Sequence, residues 1–450
     1  MVKVITYGTY DLLHEGHVLL LKRARALGDY LIVGVTAPDF DQRRGKINVK
    51  QSLAERMEAV RALGIADEII VEEYEGQKID DIRRMGVDIF TVGSDWVGKF
   101  DYLNEYCKVV YLPRTEGVSS SQLREERQKL RLGLVGDTPA LNKYERESRF
   151  VNGVELAGVC TDTIGGLSRE MQELPLITKR YDVLLDNVDA VYLRSSPDKH
   201  TEQIREALRR KKHVLCESPV SLTAAETAEL LELAKQEGCI LQESIKTAYC
   251  TAFSRLLVLL KSGKIGEVIS VDATCTRLNA AVLTGGWTSL CSWGPLALLP
   301  IFKILGTDYI HMNAAASVRN GQDVFAKLDF LYDNAVASLK VGTEVKSEGE
   351  LIISGTKGYV YVPAPWWKMD YFELRYENPK ENQRYFYQLD GEGIRHEIVA
   401  FVQAVSSGKG AGYIEDGITA AISKVMETVY RALSDVPQQD REVRMISLTA

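Results

Sequence analysis

Twice in succession, short apolar runs alternate with segments of helical period, and no other feature of the 450 residues narrows the fold as much. The first series places apolar runs at 2–7, 30–36, 68–72, 87–93 and 108–112, with helix-period segments at 17–27, 53–64, 78–85 and 119–128. Strands that are apolar on both sides and joined to helices by a few residues belong to a parallel sheet covered on both faces. After the charged stretch Arg124-Glu125-Glu126-Arg127-Gln128 the pattern restarts, with strands expected at 131–136, 154–160, 189–194, 213–216 and 239–243 and a long helix at 222–237. From about residue 266 the period changes to two, at Val268 to Thr276, Val324 to Leu331, Ala335 to Val341 and Leu351 to Ser354. Two amphipathic helices close the chain near 394–407 and 416–433. The length exceeds what one core supports. The expected division is therefore two α/β doubly wound domains at 1–128 and 129–245, followed by an α+β open-sheet domain at 246–450.

A net charge of −7 argues against nucleic acid or an anionic membrane as partner, because both call for a basic face. A local cationic pocket for a small anion is still compatible with it. The seven cysteines are scattered, odd in number and free of C-x-x-C spacing, as reduced thiols are. With no charged-then-apolar leader and no apolar run of membrane-spanning length, the expected location is the cytoplasm.

In doubly wound sheets ligands sit beyond the carboxyl ends of the strands, and the polar clusters of the first segment fall there. Gly8-Thr9-Tyr10-Asp11-Leu12-Leu13-His14-Glu15-Gly16-His17 follows the first strand, and Arg43-Arg44-Gly45-Lys46 the second. Gly93-Ser94-Asp95-Trp96 follows the fourth, and Arg114-Thr115-Glu116-Gly117-Val118-Ser119-Ser120-Ser121 the fifth. A strand-to-helix turn aims backbone N–H groups and the positive end of a helix at an anion. His14 and His17 set two imidazole donors beside that anion, and Gly16 lets its backbone come close. A lone H-x-G-H carries little information; the preceding Gly8-Thr9-Tyr10-Asp11 gives this one its weight.

These motifs resemble the glycerol-3-phosphate cytidylyltransferase group of the H-x-G-H nucleotidyltransferases. The matches are G-T-[YF]-D-L-L-H-x-G-H, G-x-D-W-x-G-K-F-D at Gly93 to Asp101, and Y-L-P-R-T-E-G-[VI]-S at Tyr111 to Ser119. The resemblance implies a Rossmann-like domain that transfers CMP from CTP to a polyol phosphate, most simply glycerol 3-phosphate, and releases pyrophosphate, with Mg²⁺ entering alongside CTP. Such a transfer needs no protein nucleophile; its demand is positioning and the neutralisation of charge gathering on phosphates. His14, His17, Lys46 and Arg114 are the expected catalytic residues. Gly8, Thr9, Tyr10, Asp11, Gly16, Arg44, Asp95, Trp96, Thr115, Gly117, Ser119 and Ser120 are the expected nucleotide-binding residues. Arg44 stands where the family has lysine. Asp11 is the candidate for a magnesium or water shell, and no protein cage for a metal is expected. Arg56, on the helix after the loop, is a further candidate for phosphate or substrate contact. An adenylyltransferase of the same fold is the alternative.

The remainder resembles the glucose-fructose oxidoreductase and inositol dehydrogenase family, a second Rossmann domain followed by an open sheet. The likeness is carried by Asp189-Ala190-Val191-Tyr192, Ser196-Pro197-Asp198-Lys199-His200, His213-Val214-Leu215-Cys216-Glu217-Ser218-Pro219 and Gly263-Lys264-Ile265-Gly266. The chain departs from that family at its chemistry. Where the family has G-x-G-x-x-G, this chain reads Gly136-Asp137-Thr138-Pro139-Ala140-Leu141, losing two glycines and one N–H and gaining a carboxylate. These changes weigh against NAD(P). Ser218 stands in place of the E-K-P lysine, and Ser292 and Leu296 in place of the later aspartate and histidine, which leaves no evident proton carrier. Gly136, Ser196, His200, Glu217, Lys246 and Tyr249 are the candidates left, with Lys246 able to restore the missing amine from another direction. The second half is thus either a non-catalytic or atypical module, or the oxidoreductase half of a bifunctional enzyme acting on the polyol or sugar. Both families usually associate, which implies a homo-oligomer.

Overall fold

The computed structural model describes residues 1–43, 49, 51–74, 76–113, 129–137, 140–278, 287–319, 322–387, 389–410, 412–434 and 444–449. The chain divides into two compact units, residues 1–129 with 151–153, and residues 130–150 with 154–450.

The first unit runs β1 (Lys3–Gly8), α1 (Glu15–Arg25), β2 (Tyr30–Thr36), α2 (Pro38–Arg43), α3 (Leu53–Ala62), β3 (Glu68–Glu72), α4 (Gln77–Met85), β4 (Ile89–Gly93) and β5 (Lys108–Leu112). The five strands pair in the order β3-β2-β1-β4-β5 and every pair is parallel. Period-two alternation along these buried strands sorts their side chains into two layers. Val4, Leu31, Val33 and Val35 pack with Leu21, Ala24 and Val60 on one face. Ile5, Tyr7, Ile32, Phe90 and Val92 pack with Ile82, Phe100 and Leu103 on the other. The order β2-β1-β4 puts a switch point at the carboxyl end of β1, where a crevice opens. α1 starts at Glu15 rather than near His17, because His14 is its N-cap, and its buried residues are Leu21 and Ala24. α2 was not expected; its first turn carries Pro38, which suits a helix start. The expected helix at 119–128 lies outside the described residues.

The second unit begins with β6 (Leu130–Gly136), α5 (Ala140–Ser148), β7 (Val154–Cys160), α6 (Arg169–Gln172), β8 (Ile177–Thr178) and α7 (Tyr181–Leu185). It continues with β9 (Ala190–Arg194), α8 (Pro197–Arg209), β10 (His213–Glu217), α9 (Ala224–Gln236) and β11 (Leu241–Ser244). These strands form a parallel six-stranded sheet in the order β11-β10-β9-β6-β7-β8.

After α10 (Thr251–Lys261) come β12 (Val268–Leu278), α11 (Ser289–Leu305), β13 (His311–Arg319), β14 (Gln322–Leu331), β15 (Val336–Gly342) and β16 (Glu344–Val345). Then follow β17 (Leu351–Gly355), β18 (Tyr359–Val362), β19 (Tyr371–Arg375), β20 (Gln383–Phe386), α12 (Ile394–Ser407), α13 (Asp416–Ser434) and β21 (Arg444–Thr449). The sheet order is β20-β19-β18-β17-β12-β15-β14-β13-β21, with β16 paired to β12; only β12 and β15 run parallel. α11 covers one face of this sheet against β12, β14 and β15, and its apolar residues join the large core there. Buried hydroxyls tie α9 to α13, with Thr227 Oγ1 2.7 Å from Ser423 Oγ and Ser423 donating to the Ser221 carbonyl at 3.0 Å. Among the described residues no helix is long and apolar enough to cross a membrane.

Candidate active site

The turn after β1 is held in a demanding conformation. Tyr10 and Leu12 have φ of 52° and 48°, the left-handed region that non-glycine residues seldom enter. Three interactions fix it. The Thr9 hydroxyl donates to Asp41 Oδ1 at 2.6 Å, the Gln51 N–H donates to Asp11 Oδ1 at 3.0 Å, and the Leu12 N–H donates to Gln51 Oε1 at 2.7 Å. Gly8 is required by proximity, since a Cβ there would stand 2.9 Å from the Tyr10 ring.

The two histidines are set by the helix start. The Gly16 N–H donates to His14 Nδ1 at 3.1 Å, and the His14 N–H points at His17 Nδ1 at 3.5 Å, a reciprocal cap. The rings stack with centroids 3.9 Å apart, and Tyr10 meets the His17 ring edge-on at 5.6 Å. A nitrogen that accepts a backbone N–H cannot carry the proton of a neutral imidazole, so both rings hold theirs on Nε2. The N-cap geometry thus turns each histidine into an Nε2–H donor.

Gly8, Thr9, Tyr10, Asp11, His17, Asp95 and Trp96 line one cavity of about 240 Å³, with Tyr7, Leu20, Thr36, Lys78, Phe90, Val92, Gly93 and Phe100 completing it. Sequence reasoning missed Tyr7 and Lys78, which lie in an ordinary strand and an ordinary helix. The expected residues Arg44, Lys46, Arg114, Thr115, Gly117, Ser119 and Ser120 lie outside the described residues. Arg56 is corrected: it is fully buried, donating to the carbonyls of Thr9 at 2.7 Å and Thr36 at 2.8 Å and pairing with Asp41 at 3.2 Å. It braces the turn and does not line the cavity. Asp11 is buried as well, and among the described residues no three His, Cys, Asp or Glu side chains converge to hold a metal ion.

At the carboxyl ends of β9 and β10 the second unit gathers charge of both signs. Tyr192 donates to Glu217 Oε2 at 2.5 Å, Arg194 Nε lies 3.8 Å from the same oxygen, and Lys246 Nζ lies 4.0 Å from Glu217 Oε1. Burial raises the Glu217 carboxyl, but Lys246 and Arg194 outweigh it and hold the group below the ordinary value. Behind them Tyr144 stacks on Tyr192 at 3.7 Å and donates to Glu397 Oε2 at 2.5 Å. Burial pushes Glu397 up to about 7.

The other expected residues point elsewhere. Ser218 donates to the buried Glu243, and Tyr249 donates to the Glu243 carbonyl at 2.6 Å. His200 is fully buried, its ring nitrogens 2.8 Å from the Pro219 carbonyl and 3.0 Å from the Ser195 carbonyl, so it clamps two loop ends. Burial holds its pKa below the ordinary value. Ser196 bonds to Asp198 at the start of α8. Gly136 has φ of 137°, and a Cβ there would meet the Arg194 carbonyl at 2.5 Å. Close approach of β9 therefore explains this glycine without a ligand, and the exposed Asp137 follows it. Thr138 and Pro139 lie outside the described residues.

Residues 5–126 match the Cytidylyltransferase-like family, and residues 138–245 match the Oxidoreductase family, NAD-binding Rossmann fold. A glycerol-3-phosphate cytidylyltransferase of Bacillus spizizenii is 47% identical over 126 residues, 28% of this chain and 97% of that protein. A dTDP-3,4-didehydro-2,6-dideoxy-alpha-D-glucose 3-reductase of Streptomyces violaceoruber is 39% identical over 98 residues, 21% of this chain and 29% of that protein. A mutant 3-ketoreductase of Actinomadura kijaniata, crystallised with TDP-benzene and NADP, aligns with TM-score 0.60 and 19% identity over 68% of this chain and 97% of its own. That likeness shows the fold. Through its first unit the chain belongs to the cytidylyltransferase family and is a nucleotidyltransferase, fused to a domain of the glucose-fructose oxidoreductase and inositol dehydrogenase family.

Proposed function

We propose that the first unit transfers CMP from CTP to a polyol phosphate, most simply glycerol 3-phosphate, with release of pyrophosphate. The observation that carries this reading is the stacked pair of His14 and His17, with His17 lining a cavity that also holds Asp95 and Trp96. An oxygen of the acceptor phosphate attacks the α-phosphorus of CTP, the bond to the bridging oxygen breaks, and pyrophosphate departs in line. His14 and His17 donate hydrogen bonds to the phosphate oxygens on which charge grows. Lys46, Arg44 and Arg114 are assigned to the same phosphates, the backbone of Thr115, Gly117, Ser119 and Ser120 to the triphosphate, and Asp95 and Trp96 to base and sugar. Mg²⁺ is assigned to the triphosphate as its counter-ion. The 47% identity to a glycerol-3-phosphate cytidylyltransferase supports CTP over ATP. The test is pyrophosphate release from glycerol 3-phosphate with CTP and ATP in competition. CTP should be used at least about tenfold better, a difference of about 1.4 kcal/mol in transition-state binding; equal use would favour the adenylyltransferase alternative.

For the second half, taken as domains 129–245 and 246–450, the favoured reading is an atypical oxidoreductase-like module. A second reading, a working NAD(P)-dependent oxidoreductase for a polyol or sugar, is supported by one observation. The Lys246 ammonium beside Glu217 supplies an amine that Ser218, whose hydroxyl is spent on Glu243, lacks. One relative of this half acts on a nucleotide-linked sugar by name, and a nucleotide-linked polyol is what the first unit makes under this proposal.

A further inference from the structure

Where β9 and β10 end, two cations lean on a single acid. Arg194 Nε lies 3.8 Å from Glu217 Oε2, and Lys246 Nζ lies 4.0 Å from Glu217 Oε1. Oε2 is already taken by the Tyr192 hydroxyl at 2.5 Å. Both ion pairs are longer than a charge-assisted hydrogen bond, which closes to about 2.7–2.9 Å. Among the described residues neither the ammonium nor the guanidinium donates a hydrogen bond, and no second carboxylate stands within 4.0 Å of either. Glu397, fully buried behind Tyr144, is the next acid inward. Burial pushes it up to about 7, so below that it brings little negative charge to the cluster. The N–H donors of an arginine and a lysine are thus gathered with most of their bonding capacity unspent.

The surroundings hold these cations without neutralising them. The Arg194 guanidinium lies over the Trp287 ring, 4.4 Å from its centre, and the Lys246 ammonium lies 5.6 Å from the centre of the Tyr144 ring. Tyr144 is itself stacked on Tyr192 at 3.7 Å, which makes a rigid platform beneath Lys246. The side chains of Arg194 and Lys246 remain 27% and 32% exposed, so a solute can reach them. The place is also where a parallel sheet admits ligands, beyond the carboxyl ends of its strands. A planar guanidinium matches two oxygens of a phosphate, and an ammonium adds a point charge to another. A phosphate monoester carries about −1.5 to −2 charge near neutral pH, which suits two cations better than the single charge of a carboxylate does. We infer that Arg194 and Lys246 anchor the phosphate group of a small phosphate monoester, with Glu217 as the counter-charge that holds them until that anion arrives. The anchor needs only binding, so it does not depend on whether the second half is catalytic or on what the first unit transfers.

Reductive methylation of the full chain with formaldehyde and cyanoborohydride, read lysine by lysine in a mass spectrometer, follows Lys246 separately from the first unit. The probes are glycerol 3-phosphate, inorganic phosphate, glycerate and glycerol. Saturating glycerol 3-phosphate should slow Lys246 labelling at least about fivefold, while glycerol leaves the rate within about twofold. Inorganic phosphate should protect at higher concentration, and glycerate less than the phosphate ester. Arg194→Gln should raise the glycerol 3-phosphate concentration for half protection at least about tenfold. Glu217→Gln keeps an acceptor for Tyr192 and removes the competing charge, so it should lower that concentration. A structural role for Glu217 alone would move it the other way. Absence of protection by both phosphate probes, protection by glycerol or glycerate equal to that by glycerol 3-phosphate, protection unchanged in folded Arg194→Gln, or weaker protection in folded Glu217→Gln overturns the inference.

Discussion

The carboxyl ends of the two parallel sheets make an instructive pair. In both the strand order switches at the first strand, and in both that strand ends in glycine, yet the two glycines serve different ends. Gly8 makes room for Tyr10 and opens a turn whose next residues line a cavity, whereas Gly136 makes room for β9. In the first unit the donors are aimed outward by backbone caps. In the second, Ser218, Tyr249 and His200 spend their polar atoms on the protein itself, while Glu217, Lys246 and Arg194 face one another at the strand ends. Conserving an architecture and conserving its chemistry are separate matters.

The largest effect that would break this contrast belongs to the histidines. His14→Ala or His17→Ala should lower kcat for nucleotidyl transfer by about 10²-fold or more, since each removes a donor worth roughly 3 kcal/mol in the transition state. Lys246→Met should change the same rate less than about twofold. Steady-state pyrophosphate assays on the folded variants decide both, and a large loss in the Lys246 variant would erase the distinction.

Next comes pH. Burial holds Glu397 and Glu243 up at about 7, so between roughly 4.5 and 7 the folded chain keeps protons that the unfolded chain has released. Stability of the second unit should therefore fall as pH rises through that window, by about 1.4 kcal/mol per pH unit for each acid, and level off above it. Lys246, Glu217 and Tyr144 all act on Glu397, and Lys246 opposes the rise. Denaturation at pH 5 and pH 8 checks the slope; Glu397→Gln should flatten it while keeping the bond from Tyr144. The smallest effect sharpens the account of the first turn. Thr9→Val removes one of the bonds holding Asp41, and should cost about 1–2 kcal/mol with a modest rise in KM.

Much of this was legible in the residues because the relevant ones are close in sequence. The Gly8 to His17 turn, β1 to β5, and α12 and α13 announce themselves through glycines, histidines and clean periods. What was hidden depends on partners far along the chain. Arg56 reads as a phosphate contact until Thr9, Thr36 and Asp41 are found around it, and nothing near Lys78 in sequence singles it out until Glu72 and Tyr7 are found beside it. β13, rich in alanine, and the short β18 to β20 carry too little apolar contrast for a period to stand out. His200 was ambiguous for a similar reason: its two carbonyl partners come from separate loops.

The most direct test of the whole account is phosphorus NMR of the full chain mixed with CTP, Mg²⁺ and glycerol 3-phosphate. The expected result is a new pair of coupled diphosphate signals from a CDP-linked polyol, growing in step with pyrophosphate and absent with His17→Ala. Persistence of unreacted CTP and glycerol 3-phosphate with active, folded protein, or an equal yield from His17→Ala, would contradict it.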